Sequence, residues 1–231
     1  MSEIINTVKE LFKSKNVLEI GGPSFLFNTD LPIYKIAHNV DCVNYSSNTI
    51  WEGVIREGKN FEFRKNKTGF RYILEATSLY KIKTSTYDCL ISSNCLEHIA
   101  NPIRALKEWK RVLNFNGLLL LILPKKESNF DHRRPYTTFD HIVADYINNT
   151  DEDDLTHLDE ILKLHDLNLD PPAGSIENFK SRSEDNFNNR TLHHHVFSIE
   201  LIKQMLNFLS FEIINMSESE NDLFSLAIKR L

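Results

Sequence analysis

Apolar residues recur along this chain in two alternating rhythms. Residues 2–13 set Ile4, Ile5, Val8, Leu11 and Phe12 on one face, the spacing of a helix. The apolar run 16–20 predicts a buried strand, and 40–45, 70–74 and 87–94 predict three more. After the first strand a helix is poorly signalled, because Pro32 interrupts the region, and residues 48–58 read as helical. Pro102 suits a helix's first position, and Ile103, Leu106, Trp109 and Leu113 carry that helix to Asn116-Gly117. Residues 118–123 are nearly all leucine, which predicts a strand covered on both faces at the centre of the sheet. Residues 125–195 break the rhythm: they are polar, rich in Asp, Asn and His, and hold helical patterns only at about 138–148 and 155–165. The 170–174 and 176–190 stretches read as loop. From Ser198 a helix with Ile199, Ile202, Met205, Leu206 and Leu209 precedes a hairpin over 211–216 and 223–228. Strands alternating with helices predict an α/β fold with a doubly wound parallel sheet.

Composition narrows the function. The 231 residues suit one domain, 1–231, elaborated by the 125–195 insertion. A net charge of -5 argues against generic affinity for DNA, RNA or an anionic membrane. Cys42, Cys89 and Cys95 lack zinc-type spacing and fit a reduced, cytoplasmic setting. The 118–123 run is far too short to span a bilayer.

The stretch Val17-Leu18-Glu19-Ile20-Gly21-Gly22-Pro23-Ser24 is a strand breaking into a glycine turn that lets backbone approach a ligand. An acid just before the glycines suits a positively charged ligand better than a pyrophosphate. VLEIGGPS, the long string from Tyr87 to Pro124 with its Leu96-Glu97-His98 turn, and the closing helix and hairpin resemble the class I S-adenosylmethionine-dependent methyltransferases. The resemblance implies a Rossmann-like seven-stranded sheet with an antiparallel last strand, and S-adenosylmethionine as cofactor. It places Glu19, Gly21 and Gly22, with the adjoining Pro23 and Ser24, at the methionine part. Asn44 falls at the ribose, Glu75 and Ala76 at the adenine, and Ser93 and Asn94 beneath the sulfonium. Pro23 stands where a loop glycine is expected, and Asn44 where an acid is usual. In the insertion, Phe130-Asp131-His132-Arg133-Arg134-Pro135 with Thr137, then His141 and Asp145-Tyr146, and the later His193-His194-His195-Val196-Phe197 resemble bacterial methyltransferases of surface-carbohydrate biosynthesis, which points to a sugar acceptor.

Methylating a hydroxyl needs a base or a metal to take its proton. His132, His157, His193 and His195 in the insertion are the candidates, with His98 the rival; an extended segment would put His193 and His195 on one side. The same imidazoles offer ligands to a divalent metal, but no His-x-x-x-His pair supports one, and the metal stays open. Arg133 and Arg134 could hold an anionic group of a small-molecule acceptor such as a phosphorylated sugar. The acids at 151–154 read as a solvated helix start, and Asp170-Pro171-Pro172-Ala173 as a turn. The expected activity is O-methylation. Methylation of nitrogen or RNA, and a non-catalytic cofactor-binding subunit, are the competing readings.

Overall fold

The computed structural model describes residues 2–230. Its sheet comprises β1 (Asn16–Ile20), β2 (Asn39–Asn44), β3 (Gly58–Arg64), β4 (Lys67–Ile73), β5 (Tyr87–Ser93), β6 (Leu113–Pro124), β7 (Phe211–Glu218) and β8 (Asp222–Lys229). Their spatial order is β3-β4-β2-β1-β5-β6-β8-β7. Strands β4, β2, β1, β5 and β6 are parallel; β8 runs antiparallel between β6 and β7. The architecture is thus α/β and Rossmann-like, with an antiparallel last strand.

Two local expectations need correction. The sheet has eight strands rather than seven, because β3 folds back antiparallel on β4. Its pattern is weak: only Phe61 and Phe63 alternate inward. Residues 48–58 are not helical. Asn48–Thr49 pairs with Gly53–Val54, and Gly53, at φ +67°, makes a reversal that no helix accommodates. This small turn lifts Trp51 and Glu52 over the strand ends.

The leucines of β6 explain the layering. Leu119, Leu121 and Leu123 pack with α3 (Pro102–Val112) and α8 (Ile199–Phe208), while Leu118, Leu120 and Ile122 pack with α1 (Ser2–Leu11) and α2 (Ile33–Ile36). A strand covered on both faces gains nothing from polar alternation, so the run is apolar throughout.

The insertion forms α4 (Phe139–Asn148), α5 (Leu158–Leu164), α6 (Ile176–Glu184) and α7 (Asn186–Asn189), then an extended segment over 191–198. The last two helices replace the loop expected there. Ser175 caps α6 by accepting from the Asn178 N–H, and Phe179 packs with Ile161, Ala173 and Leu192 in a small separate core. So few buried side chains leave no helical rhythm to read.

Asn101 joins the two parts. It is 1% exposed and caps α3 by accepting from the Arg104 N–H at 3.1 Å. Its Nδ2 donates to the Asp145 and Thr150 carbonyls at 3.0 and 3.3 Å, at the end of α4. Asn101→Ala removes a cap and leaves the half-buried Thr150 carbonyl unpaired, while the Asp145 carbonyl keeps the Thr150 N–H at 3.0 Å. Chemical denaturation should show a loss of about 1–3 kcal/mol, larger than an exposed cap would cost.

Candidate functional site

The carboxyl ends of β1, β2, β4 and β5 open into one cavity. Its first wall is the glycine turn. Gly21 lies at φ +80° and donates to the Val43 carbonyl at 2.9 Å; a Cβ there would sit 2.6 Å from Cys95 Sγ. A Cβ on Gly22 would strike the Glu19 carboxylate. Both positions therefore exclude a side chain by close approach.

Glu19 does not reach the cavity. It is 1% exposed beneath the turn, accepting from the Ser24 N–H at 2.9 Å and the Tyr34 hydroxyl at 2.5 Å. Burial pushes its carboxyl up to about 8, against the opposing pull of the Tyr34 hydrogen bond. Glu19 and Ser24 brace the loop from below, and Gly21, Gly22 and Pro23 form the lining.

Asn44 lines the cavity with every polar atom engaged. Its Nδ2 donates to the Gly22 carbonyl at 2.7 Å and to Glu52 Oε1 at 3.1 Å, and its Oδ1 accepts from Arg71 at 2.7 Å. Arg71 also grips both Glu52 oxygens, at 2.6 and 3.0 Å. An acid thus stands beside position 44 after all, supplied by the 48–54 turn. Trp51, from the same turn, is exposed at the mouth of the cavity.

Opposite lie Glu75, Ala76, Glu152 and Arg190. The Ala76 carbonyl is fixed by Trp109 Nε1 at 3.0 Å. Arg190 pairs with Glu75 at 2.8 Å and Glu152 at 3.3 Å. Glu152 departs from the solvated helix start expected of the 151–154 acids. It is 3% exposed, accepts from the Ala100 N–H at 3.2 Å, and burial raises its carboxyl to about 7 despite Arg190. A charge run shows how many acids it holds, not which one turns inward.

At the end of β5, Asn94 and His98 line the cavity, whereas Ser93 lies off its wall. His98 Nδ1 donates to the Leu192 carbonyl at 3.1 Å, so Nε2 keeps its lone pair. Burial, then neighbouring His193, hold its protonation well below the usual histidine range. The His193 ring lies 4.6 Å from that of His98, with Nδ1 2.5 Å from Asp131. Burial pulls His193 down, but Asp131 outweighs it and the net shift is upward.

The other insertion residues lie elsewhere. His132 and Arg133 both bind Asp166, at 3.0 and 2.5 Å. Arg134 is 2% exposed and committed to Asp131, Glu160 and the His193 and His194 carbonyls, so its guanidinium is spent within the insertion and not presented to an acceptor. His157 and His195 lie with His141, apart from the cavity lining. The strand-like alternation expected of 193–195 does not hold either. The segment pairs with no strand, and His193, His194 and His195 face Asp131, Asn186 and Ala100 respectively. Trp51, Glu52, Glu152 and Arg190 escaped the sequence reading; the Trp51-Glu52-Gly53 turn was the one signal available for the first two.

Comparison with known proteins agrees with this geometry. Residues 27–121 match a family described as a methyltransferase domain. No curated protein sequence matches the chain. A solved S-adenosylmethionine-dependent methyltransferase from Methanosarcina mazei is similar at 18% identity and a TM-score of 0.55, with 99% of this chain and 97% of that one covered. One from Aquifex aeolicus is similar at 14% and 0.51, covering 98% and 88%. The N-methyltransferase NodS from Bradyrhizobium japonicum is similar at 10% and 0.52, covering 100% and 96%. Residues 27–121 therefore match a methyltransferase domain, and the fold of the chain is the one seen in solved S-adenosylmethionine-dependent methyltransferases.

Proposed function

We propose that the protein is an O-methyltransferase that uses S-adenosylmethionine to methylate a hydroxyl of a small polar acceptor, a sugar or sugar conjugate. One observation carries the reading: His98 stands on the cavity wall with a bare, neutral Nε2, edge-on to the exposed Trp51 at 5.6 Å between ring centres. A neutral imidazole can take a proton from a hydroxyl, and an indole face beside it suits the apolar face of a sugar ring.

The cavity fits the cofactor on this chain's own features. The glycine turn admits backbone approach that a Cβ would block, and the acids Glu52, Glu75 and Glu152 suit a cationic ligand. S-adenosylmethionine supplies a methyl group already activated on its sulfonium. Gly21 and Gly22 would border its methionine part, Glu52 with Asn44 the ribose diol, and Glu75 with Ala76 the adenine. The protein's remaining work is to align the acceptor and accept its proton. In this reading the chain is one domain whose 125–195 insertion covers the acceptor, and His98 replaces His132, His157 and His195 as the base. His193 and Asp131 position it. Arg133, half exposed beside Asp166, is the remaining insertion arginine able to meet an anionic acceptor.

Three outcomes are expected. Isothermal titration should show S-adenosylmethionine binding that is lost in Gly21→Val while circular dichroism stays native; a folded variant with full affinity would overturn the site. His98→Ala should lower turnover on a sugar panel by ~10²–10⁴-fold with cofactor affinity kept, and product analysis should place the methyl group on oxygen. Affinity should also depend on pH. Glu152, raised to about 7, loses its negative charge as pH falls through that value. Binding of the cation should therefore weaken below pH 7, and Glu152→Gln should flatten that slope.

A further inference from the structure

Behind the cavity wall, His141, Asp145 and His195 bring three ligand atoms within 4.8 Å of one another, and His157 stands beside His141. His141 and Asp145 stand four residues apart on α4, one above the other on the same face. His157 immediately precedes α5, and His195 belongs to the extended 191–198 segment. His141 Nε2 lies 2.9 Å from His157 Nε2 and 3.3 Å from Asp145 Oδ2, and His195 Nε2 lies 3.8 Å from the same oxygen. Four ligands around one tetrahedral ion, with bonds of about 2.0–2.1 Å, stand roughly 3.3–3.4 Å apart. The two separations through His141, 2.9 and 3.3 Å, lie near that value, and His195 offers its unpartnered Nδ1.

Hydrogen bonding leaves this cluster incomplete in a specific way. Asp145 Oδ1 accepts from the Thr150 hydroxyl at 3.2 Å, while Oδ2 is buried with no hydrogen-bond partner among the described residues. His195 Nε2 meets the Ala100 carbonyl at 3.2 Å, while its Nδ1 is buried and likewise unpartnered. Asp145 is 8% exposed and His195 2%. A ligand anchored through one polar atom, with the other bare, is how proteins orient groups toward a metal. The facing Nε2 atoms of His141 and His157 can share only one proton between them, whereas an ion uses both lone pairs.

We propose that His141, Asp145, His157 and His195 bind one divalent transition-metal ion of the zinc type. Three imidazoles and one carboxylate suit zinc, and disfavour magnesium or calcium, which prefer oxygen ligands. Four protein ligands close the site, so its role is structural. It fastens α4, the start of α5 and the 191–198 segment to one another, and that segment carries the Leu192 carbonyl that orients His98. The half-exposed His141 and His157 give the ion its way in. The inference stands independently of the acceptor.

The test uses untagged protein. Elemental analysis of purified protein should find about one zinc per chain. Cobalt-loaded protein should show the intense visible absorption of tetrahedral coordination, and a chelator should remove the ion and lower the melting temperature. Asp145→Asn and His141→Gln should weaken zinc by more than the roughly 10–100-fold that losing an outer hydrogen-bond partner costs. Native circular dichroism and retained S-adenosylmethionine binding establish folding for each variant. Glu97→Gln serves as the control, because Glu97, His98 and His193 form the other three-donor group among the described residues. Zinc lost in Glu97→Gln but kept in Asp145→Asn would assign the ion to that group and overturn the proposal. So would wild-type protein that takes up no zinc at micromolar free metal.

Discussion

The buried guanidinium of Arg134 is the interaction on which the rest of the site depends. Taking an arginine out of water costs several kcal/mol unless its donors are met. Here they reach the Asp131 and Glu160 carboxylates and the His193 and His194 carbonyls. Those two carbonyls fix an extended segment that no strand ladder holds. Through that segment Arg134 sets the Leu192 carbonyl on His98, His193 beside it, and His195 toward Asp145. Removing the guanidinium would leave Asp131 Oδ1 and two carbonyls unmatched at once, with only Asp131 Oδ2 still held by His193.

The residues in and around the cavity carry a related tension. Glu19, Glu97 and Glu152 are each about 1–3% exposed, and burial raises all three carboxyls, to about 8, 7 and 7. Groups this costly to bury persist where the fold or a ligand uses them. Glu19 is spent on the loop, since its two acceptors hold Ser24 and Tyr34. Glu152 faces the cavity beside Arg190, poised between charged and neutral forms at physiological pH. Buried carboxyls of this kind favour the folded state at low pH and lose that advantage as pH rises from their ordinary range toward 7 or 8.

The site also shows a carboxylate delivered by a loop and not by the strand it stands beside. Position 44 holds an asparagine, and the neighbouring carboxylate comes from Glu52, clamped by Arg71. A clamped acid keeps its geometry without being the strand's own residue, because the bidentate guanidinium fixes both oxygens. The cost falls on the short 48–54 turn, which must hold Glu52 inward while Trp51 stays exposed.

What the sequence determined was whatever periodicity and backbone chemistry dictate locally. The leucines of β6 could lie only between two apolar layers. Gly21 and Gly22 marked a turn too close for side chains, and the order of strands and helices led to the parallel sheet. The resemblance in Tyr87–Pro124 added the fold family, and positions 21, 22, 44, 75, 76 and 94 do meet along one cavity. What only the tertiary structure decided was which polar group turns inward. Nothing local separates Glu152 from its acidic neighbours, Arg134 from Arg133, or His98 from the insertion histidines. Burial and partners made those choices, and the partners lie tens of residues away: Arg134 with His193, Asn101 with Asp145, Glu75 with Arg190. A polar side chain's role is set by what desolvates it, and that is a property of the packed chain.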